Sequence, residues 1–217
     1  MGERPETITV IGAPGLVGLT AGKSMGADGA TLRTRFRLPE DGPLTLVVFH
    51  PVVQAAPRAA NQMRTVIEVL NDLGHAIVVM RPNSDAGGHK IDEYLDGLDG
   101  MERIAVCTHL VRDDYLTLLA GADLIVGNSS SGIIESASFG TPCLNLGSRQ
   151  NDRLRNDNTI DCPEITHSEI RAAVPRALAW TGPSRNVYGD GKTDERLLAL
   201  LDTLHCDPAL LEKSNSY

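Results

Sequence analysis

The sequence predicts an α/β fold, a Rossmann-like sandwich in which helices cover both faces of a parallel sheet. Three observations carry this. From about residue 44, short apolar runs recur at 44–49, 76–80, 104–107, 124–126 and 143–146. Amphipathic segments of helical length lie between them, near 59–73, 89–98, 112–120 and 132–139. Marked polar residues stand just after the apolar runs, where a doubly wound sheet binds its ligands.

The elements follow in order. Residues 7–11 read as a strand. The Gly12-Ala13-Pro14-Gly15-Leu16-Val17-Gly18 segment after them mimics a dinucleotide-binding turn. Its spacing is G-x-x-G-x-x-G rather than G-x-G-x-x-G, and no second strand ending in an acidic residue follows at the expected distance. Residues 20–43 hold Gly, Arg, Thr and Pro with few apolar residues and read as a linker. The run at 44–49 is apolar without alternation, as expected of a strand covered on both faces. In 59–73, Met63, Val66, Ile67 and Leu70 share one side at helical spacing and mark a core-facing helix. Two further helices are expected near 167–180 and 192–204, and the tail 206–217 is polar.

The stretch 126–150, V-G-N-S-S-S-G-I-I-E-S-A-S-F-G-T-P-C-L-N-L-G-S-R-Q, is the most informative. It reads as the end of a strand, a polar turn, a short helix, a Gly stop and another strand. Hydroxyls and free backbone N–H groups gather where the helix begins, which suits a phosphate or diphosphate. Ser129 or Ser130 would serve equally well as a plain helix cap. Glu135 lies one turn on, where a carboxylate suits the vicinal hydroxyls of a ribose.

Composition narrows the function classes. The chain has 217 residues, with 41% hydrophobic and 22% charged residues, ordinary values for a globular domain with its own core. A net charge of −8 without a Lys/Arg cluster argues against a nucleic-acid surface. The four cysteines, Cys107, Cys143, Cys162 and Cys206, have no zinc-ligand spacing and suggest no disulfide framework. No metal or cofactor is expected. No apolar run approaches the ~18 residues of a membrane span, and the first ten residues do not read as a signal peptide, so a cytoplasmic location is the expectation.

The strand-end residues then converge on one family. Phe49-His50-Pro51-Val52, Arg81-Pro82-Asn83-Ser84-Asp85-Ala86-Gly87-Gly88, the serine stretch through Gln150 and Tyr188-Gly189-Asp190-Gly191-Lys192 occur in order. They resemble the motifs of UDP-N-acetylglucosamine 2-epimerases, most closely the hydrolysing branch that feeds sialic-acid-type sugar synthesis. The resemblance implies a glycosyltransferase-B-type fold of two facing domains, of which this chain supplies the carboxy-terminal one. Residues 1–43 would then be the last strand and linker of the amino-terminal domain, 44–205 the UDP-sugar-binding domain and 206–217 a tail.

The same resemblance implies that His50 stands beside the diphosphate as the catalytic residue of this half. It implies that Asn83 and His109 line the nucleotide cleft, that Ser129 and Ser130 hold the diphosphate, that Glu135 takes the ribose and that Arg149 lies near the nucleotide. Val53 replaces the Thr usual after His-Pro-Val. The family's chemistry is departure of UDP from C1 with loss of the C2 proton, then addition of water. The carboxylates that act on the sugar ring come largely from the other domain. The expected partners are therefore a UDP-sugar and a separate amino-terminal-domain chain or a homo-oligomer. Two other readings stay open: a non-catalytic UDP-sugar-binding module, and the nucleotide-binding half of a split glycosyltransferase.

Overall fold

The computed structural model describes residues 5–19, 28–83, 85–98, 100–182 and 185–204. The chain divides into two compact units, Ala21–Val187 and a smaller one made of Met1–Thr20 with Tyr188–Tyr217.

The larger unit is the predicted sandwich. Six strands, β1 (Leu44–Val48), β2 (Ala76–Met80), β3 (Ile104–Cys107), β4 (Leu124–Gly127), β5 (Cys143–Leu146) and β6 (Thr159–Cys162), form one sheet in the order β3-β2-β1-β4-β5-β6. Every pairing is parallel. This is the doubly wound order. β1 is buried along its whole length because helices close both faces, which is why its sequence shows no alternation.

On one face, α2 (Ala59–Asp72), α3 (Gly88–Asp96) and α7 (His167–Leu178) supply Met63, Val66, Ile67, Leu70, Ile91, Leu95, Ile170 and Val174 to a core with Val47, Val79 and Val126. On the other, α1 (Gly29–Phe36) and α4 (Arg112–Gly121) bring Leu32, Leu118 and Leu119 against Leu46, Val48 and Val78. The start of α7 is legible in the sequence. Thr166 caps it by accepting from Glu169 N–H at 3.3 Å, a T-x-x-E signature.

Four expectations are corrected. First, residues 7–11 form no strand. Pro5–Thr7 is a 3-10 turn, residues 8–11 lie outside any ladder, and Ile8 and Val10 are exposed.

Second, the linker is not plain linker. Part of it lies outside the described residues, but Asp28 caps α1 by accepting from Thr31 N–H at 2.8 Å. Arg33 is buried and donates to the carbonyls of Pro39 (2.6 Å), Asp41 (3.3 Å) and Gly42 (2.5 Å). An arginine that satisfies three loop carbonyls looks like surface charge in the sequence, so this ordering device was invisible there. The compact unit accordingly begins before residue 44 and ends at Val187.

Third, β6 escaped the sequence reading because Thr-Ile-Asp-Cys is short, polar and at a sheet edge, where half of the strand meets water. Fourth, the helix expected over 132–139 is two pieces, α5 (Ser130–Ile134) and α6 (Ser136–Phe139), interrupted at Glu135. Ser136 Oγ donates to Gly132 C=O at 2.7 Å, a side-chain bond that competes with the helical ladder and bends it.

In the smaller unit, Pro14–Leu16 is a single 3-10 turn and α8 is Thr193–Thr203. Gly12 of the 12–18 segment answers to packing within this unit. Gly12 has φ +96°, and a Cβ there would meet Thr193 Oγ1 at 2.8 Å. Ala13 N–H donates to Tyr188 C=O at 2.8 Å, and Thr193 Oγ1 donates to Ala13 C=O at 3.2 Å. A dinucleotide turn needs a strand before it, and residues 5–11 form none. The tail 206–217 lies outside the described residues.

Candidate functional site

The connection order of the sheet reverses between β1 and β4. From β1 the chain winds to β2 and β3 on one side; from β4 it winds to β5 and β6 on the other. The helices after β1 and β4 thus leave in opposite directions, opening a crevice beyond the carboxyl ends of these two strands. His50 follows β1 and the serine turn follows β4.

One buried side chain joins the two strand ends. Asn128, 1% exposed, accepts from His50 N–H at 2.7 Å and donates to His50 C=O at 2.8 Å. Its own carbonyl accepts from Arg149 Nη1 at 3.1 Å and Gln150 Nε2 at 2.8 Å. Gly127 permits this closeness. Its φ is +146°, and a Cβ there would lie 2.0 Å from Val48 C=O.

The serine turn is held by its own hydroxyls. Ser129 caps α5, its Oγ accepting from Ser131 N–H at 3.4 Å and from Ser131 Oγ–H at 3.1 Å. Ser131 Oγ in turn meets the hydroxyl of Tyr115, which comes from α4, at 2.5 Å. Gly132 lets α5 settle onto β5, since a Cβ would stand 2.8 Å from Cys143 Sγ.

The structure draws most of the predicted residues together. Asn83 donates its N–H to His50 Nδ1 at 3.4 Å, and its side chain donates to Asp85 at 2.7 Å. Arg149 is exposed and tied to the Asn128 carbonyl. Ser129 and Ser130 open α5, and Glu135 sits half-buried at its end. His109 is exposed in the loop after β3 and makes no hydrogen bond to a described residue. Val53 is exposed at the start of a 3-10 segment, Val53–Arg58.

Two residues here were not singled out by the sequence. Asn128 satisfies the same strand-end rule that picked out His50. Tyr115 has no sequence signal at all, because only the packing of α4 brings it to Ser131.

Electrostatics divides the site. Burial pushes the His50 imidazole below the ordinary histidine range and the Arg149 charge adds to this, while Asp85 opposes both. The site therefore favours neutral imidazole, not the protonated form that would best meet a leaving diphosphate. Burial raises the Glu135 carboxyl above its usual range, opposed by Arg112. Among the described residues, no group of three or more His, Cys, Asp or Glu side chains is placed to hold a metal ion. No helix among them is long and apolar enough to cross a membrane.

A parallel sheet with a polar, donor-rich crevice at its switch point defines a doubly wound α/β domain with a candidate ligand site at its strand ends. Residues 1–202 match the family model of UDP-N-acetylglucosamine 2-epimerase, and the chain belongs to that family. Its relatives include the UDP-N,N'-diacetylbacillosamine 2-epimerase (hydrolyzing) of Legionella pneumophila, 39% identical over the whole chain and 57% of that protein. The GDP/UDP-N,N'-diacetylbacillosamine 2-epimerase (hydrolyzing) of Campylobacter jejuni is 35% identical over 56% of this chain and 32% of its own. The UDP-GlcNAc 2-epimerase of Methanocaldococcus jannaschii, solved with UDP-GlcNAc and UDP, has a similar fold, with TM-score 0.69 and 17% identity over 93% of this chain and 56% of that one. The match thus spans between 32% and 57% of the length of these proteins.

Proposed function

We propose that this chain is the UDP-sugar-binding half of a hydrolysing UDP-sugar 2-epimerase acting on a 2-acetamido sugar. The observation that carries this reading is the Asn128 bridge, which locks His50 and the serine turn together at the switch point of the sheet. The M. jannaschii relative was solved with UDP-GlcNAc and UDP. In the proposed complex, Ser129, Ser130 and the first N–H groups of α5 receive the diphosphate, Glu135 the ribose hydroxyls, and Arg149 and Asn83 flank the nucleotide. His109 reaches the same cleft from the loop after β3.

The reaction breaks the C1–O bond to UDP as a base removes the proton at C2. This leaves a glycal, to which water adds with inversion at C2. Charge builds on the departing diphosphate, where hydroxyls, N–H groups and His50 are placed to meet it. The base acts on the sugar side of the cleft and is assigned to a complementary amino-terminal domain, in the cytoplasm. The smaller unit has a face suited to such a domain. Leu197, Leu198 and Leu201 of α8 and Leu204 just after it are exposed, as are Ile8 and Val10. Leu16, Leu19, Leu32 and Leu38 of the 12–43 segment are buried.

Two relatives are named for diacetylbacillosamine nucleotides and another for UDP-N-acetylglucosamine, so both sugars belong in the assay. The purified chain is incubated with each UDP-sugar, with and without the amino-terminal half of a relative, and UDP release is followed. The expected result is UDP binding by the chain alone and turnover only with the added half. Turnover by the chain alone at about 1 s⁻¹ or faster would overturn the split assignment.

A pH signature is also expected. A bound diphosphate beside His50 opposes the Arg149 effect and raises the affinity of the imidazole for a proton. Binding then takes up a proton, so UDP affinity rises as pH falls from about 8 to about 6. Calorimetry of the parent chain and of His50→Ala separates this from the titration of UDP itself. Equal pH profiles for the two would remove His50 from the diphosphate site.

A further inference from the structure

The hydroxyls behind the serine turn have a fixed polarity. Ser131 Oγ–H donates to Ser129 Oγ at 3.1 Å, and that single proton is then spent. A serine hydroxyl has one proton and two acceptor lone pairs. The 2.5 Å contact with Tyr115 can therefore be made only if Tyr115 donates to Ser131. Ser129 Oγ already accepts twice, from Ser131 N–H and Ser131 Oγ–H. Both of its lone pairs are engaged, so its own proton is left to point outward.

Tyr115 is well placed to hold this order. Its side chain comes from α4 and packs against the hydrophobic core of that face. Burial raises its hydroxyl above the ordinary tyrosine range, so it stays protonated and remains a donor.

We propose that Tyr115 is a positioning residue that orients the Ser131 and Ser129 hydroxyls in series, so that Ser129 presents a proton, and not a lone pair, to an anionic oxygen. This rests on the reading of the serine turn as the diphosphate site and adds to it a residue that acts through Ser131. Without Tyr115, Ser131 is free to turn away, and Ser129 loses an acceptor engagement that fixes its own rotor. Chains of hydroxyls polarise one another, so the loss weakens the outward donor as well as disordering it.

The test measures the affinities of UDP and uridine for the parent chain, Tyr115→Phe, Ser131→Ala, Ser129→Ala and the double variant Tyr115→Phe/Ser129→Ala. Tyr115→Phe keeps the ring and removes the proton. Ser131→Ala breaks the same chain with the tyrosine intact, should the first variant fold poorly. The expected result is a three- to tenfold loss of UDP affinity, of the order of one neutral hydrogen bond, in each of these two variants. Uridine, which lacks the diphosphate, should bind them as it binds the parent. On a Ser129→Ala background, Tyr115→Phe should add nothing. A loss that is equal for UDP and uridine, or that persists in full on the Ser129→Ala background, makes the role merely structural and overturns the proposal. UDP binding that is unchanged in both single variants overturns it too. If the parent chain binds no UDP, the diphosphate reading itself falls, an outcome distinct from the others.

Discussion

Gly127→Ala is expected to be the most damaging single substitution in the larger unit, costing more than about 4 kcal/mol and giving little folded protein. The cause is the contact between two central strands. Val48 pairs with Gly127 across the β1–β4 ladder. A Cβ on Gly127 would stand 2.0 Å from Val48 C=O and 2.6 Å from its carbon. Neither neighbour is a side chain that could turn away, and the φ of +146° is itself closed to residues with a Cβ. Relief requires β1 and β4 to part, which breaks the middle of the sheet. Gly74→Ala is the control. Gly74 also has a positive φ, +77°, at the end of α2, but nothing lies within 4 Å of its added Cβ. It should lose only the left-handed penalty, about 1–2 kcal/mol. Urea unfolding of the two variants measures the gap; equal losses would show that backbone conformation, and not the strand contact, sets the cost.

Asn128→Ala is expected to cost about 2–4 kcal/mol and to abolish tight UDP binding. The stability loss follows from leaving His50 N–H and His50 C=O without the partners they have at 2.7 and 2.8 Å, each an unsatisfied group costing about 1–3 kcal/mol where water is excluded. The binding loss follows from geometry, because the bridge holds the two loops of the crevice in register. Asn128→Asp separates these effects. Its carboxylate still accepts from His50 N–H but cannot donate to His50 C=O, so about half of the stability loss is expected. Its charge beside the proposed diphosphate site should nevertheless weaken UDP tenfold or more, since facing like charges cost several kcal/mol. Denaturant midpoints and calorimetric affinities together decide. An Asp variant that binds UDP like the parent would place the diphosphate away from Asn128.

Much of this was legible in the chain itself. The apolar runs at 44–49, 76–80, 104–107 and 143–146 gave parallel strands because a strand covered on both faces has no polar side to show. The spacing of Met63, Val66, Ile67 and Leu70 gave α2 and its buried face, and all four are in the core. The polar residues after the strands marked the end of the sheet where the crevice lies. These features are written in one dimension, since each depends on neighbours a few residues away.

What only the tertiary structure decided depends on partners distant in the chain. Residues 7–11 have strand-like composition, yet composition supplies no edge to pair with, and they form no ladder. Arg33 looks solvent-exposed until Pro39, Asp41 and Gly42 turn their carbonyls toward it. Gly12 looks like the first glycine of a phosphate turn until Thr193, 181 residues beyond it, takes the space a Cβ would fill. Asn128 gains its meaning from His50, 78 positions earlier. Tyr115 gains its meaning from a serine on the next helix. A hydrogen bond has a direction and a length of about 3 Å, and neither exists until the sheet has set its strand order and brought those atoms together.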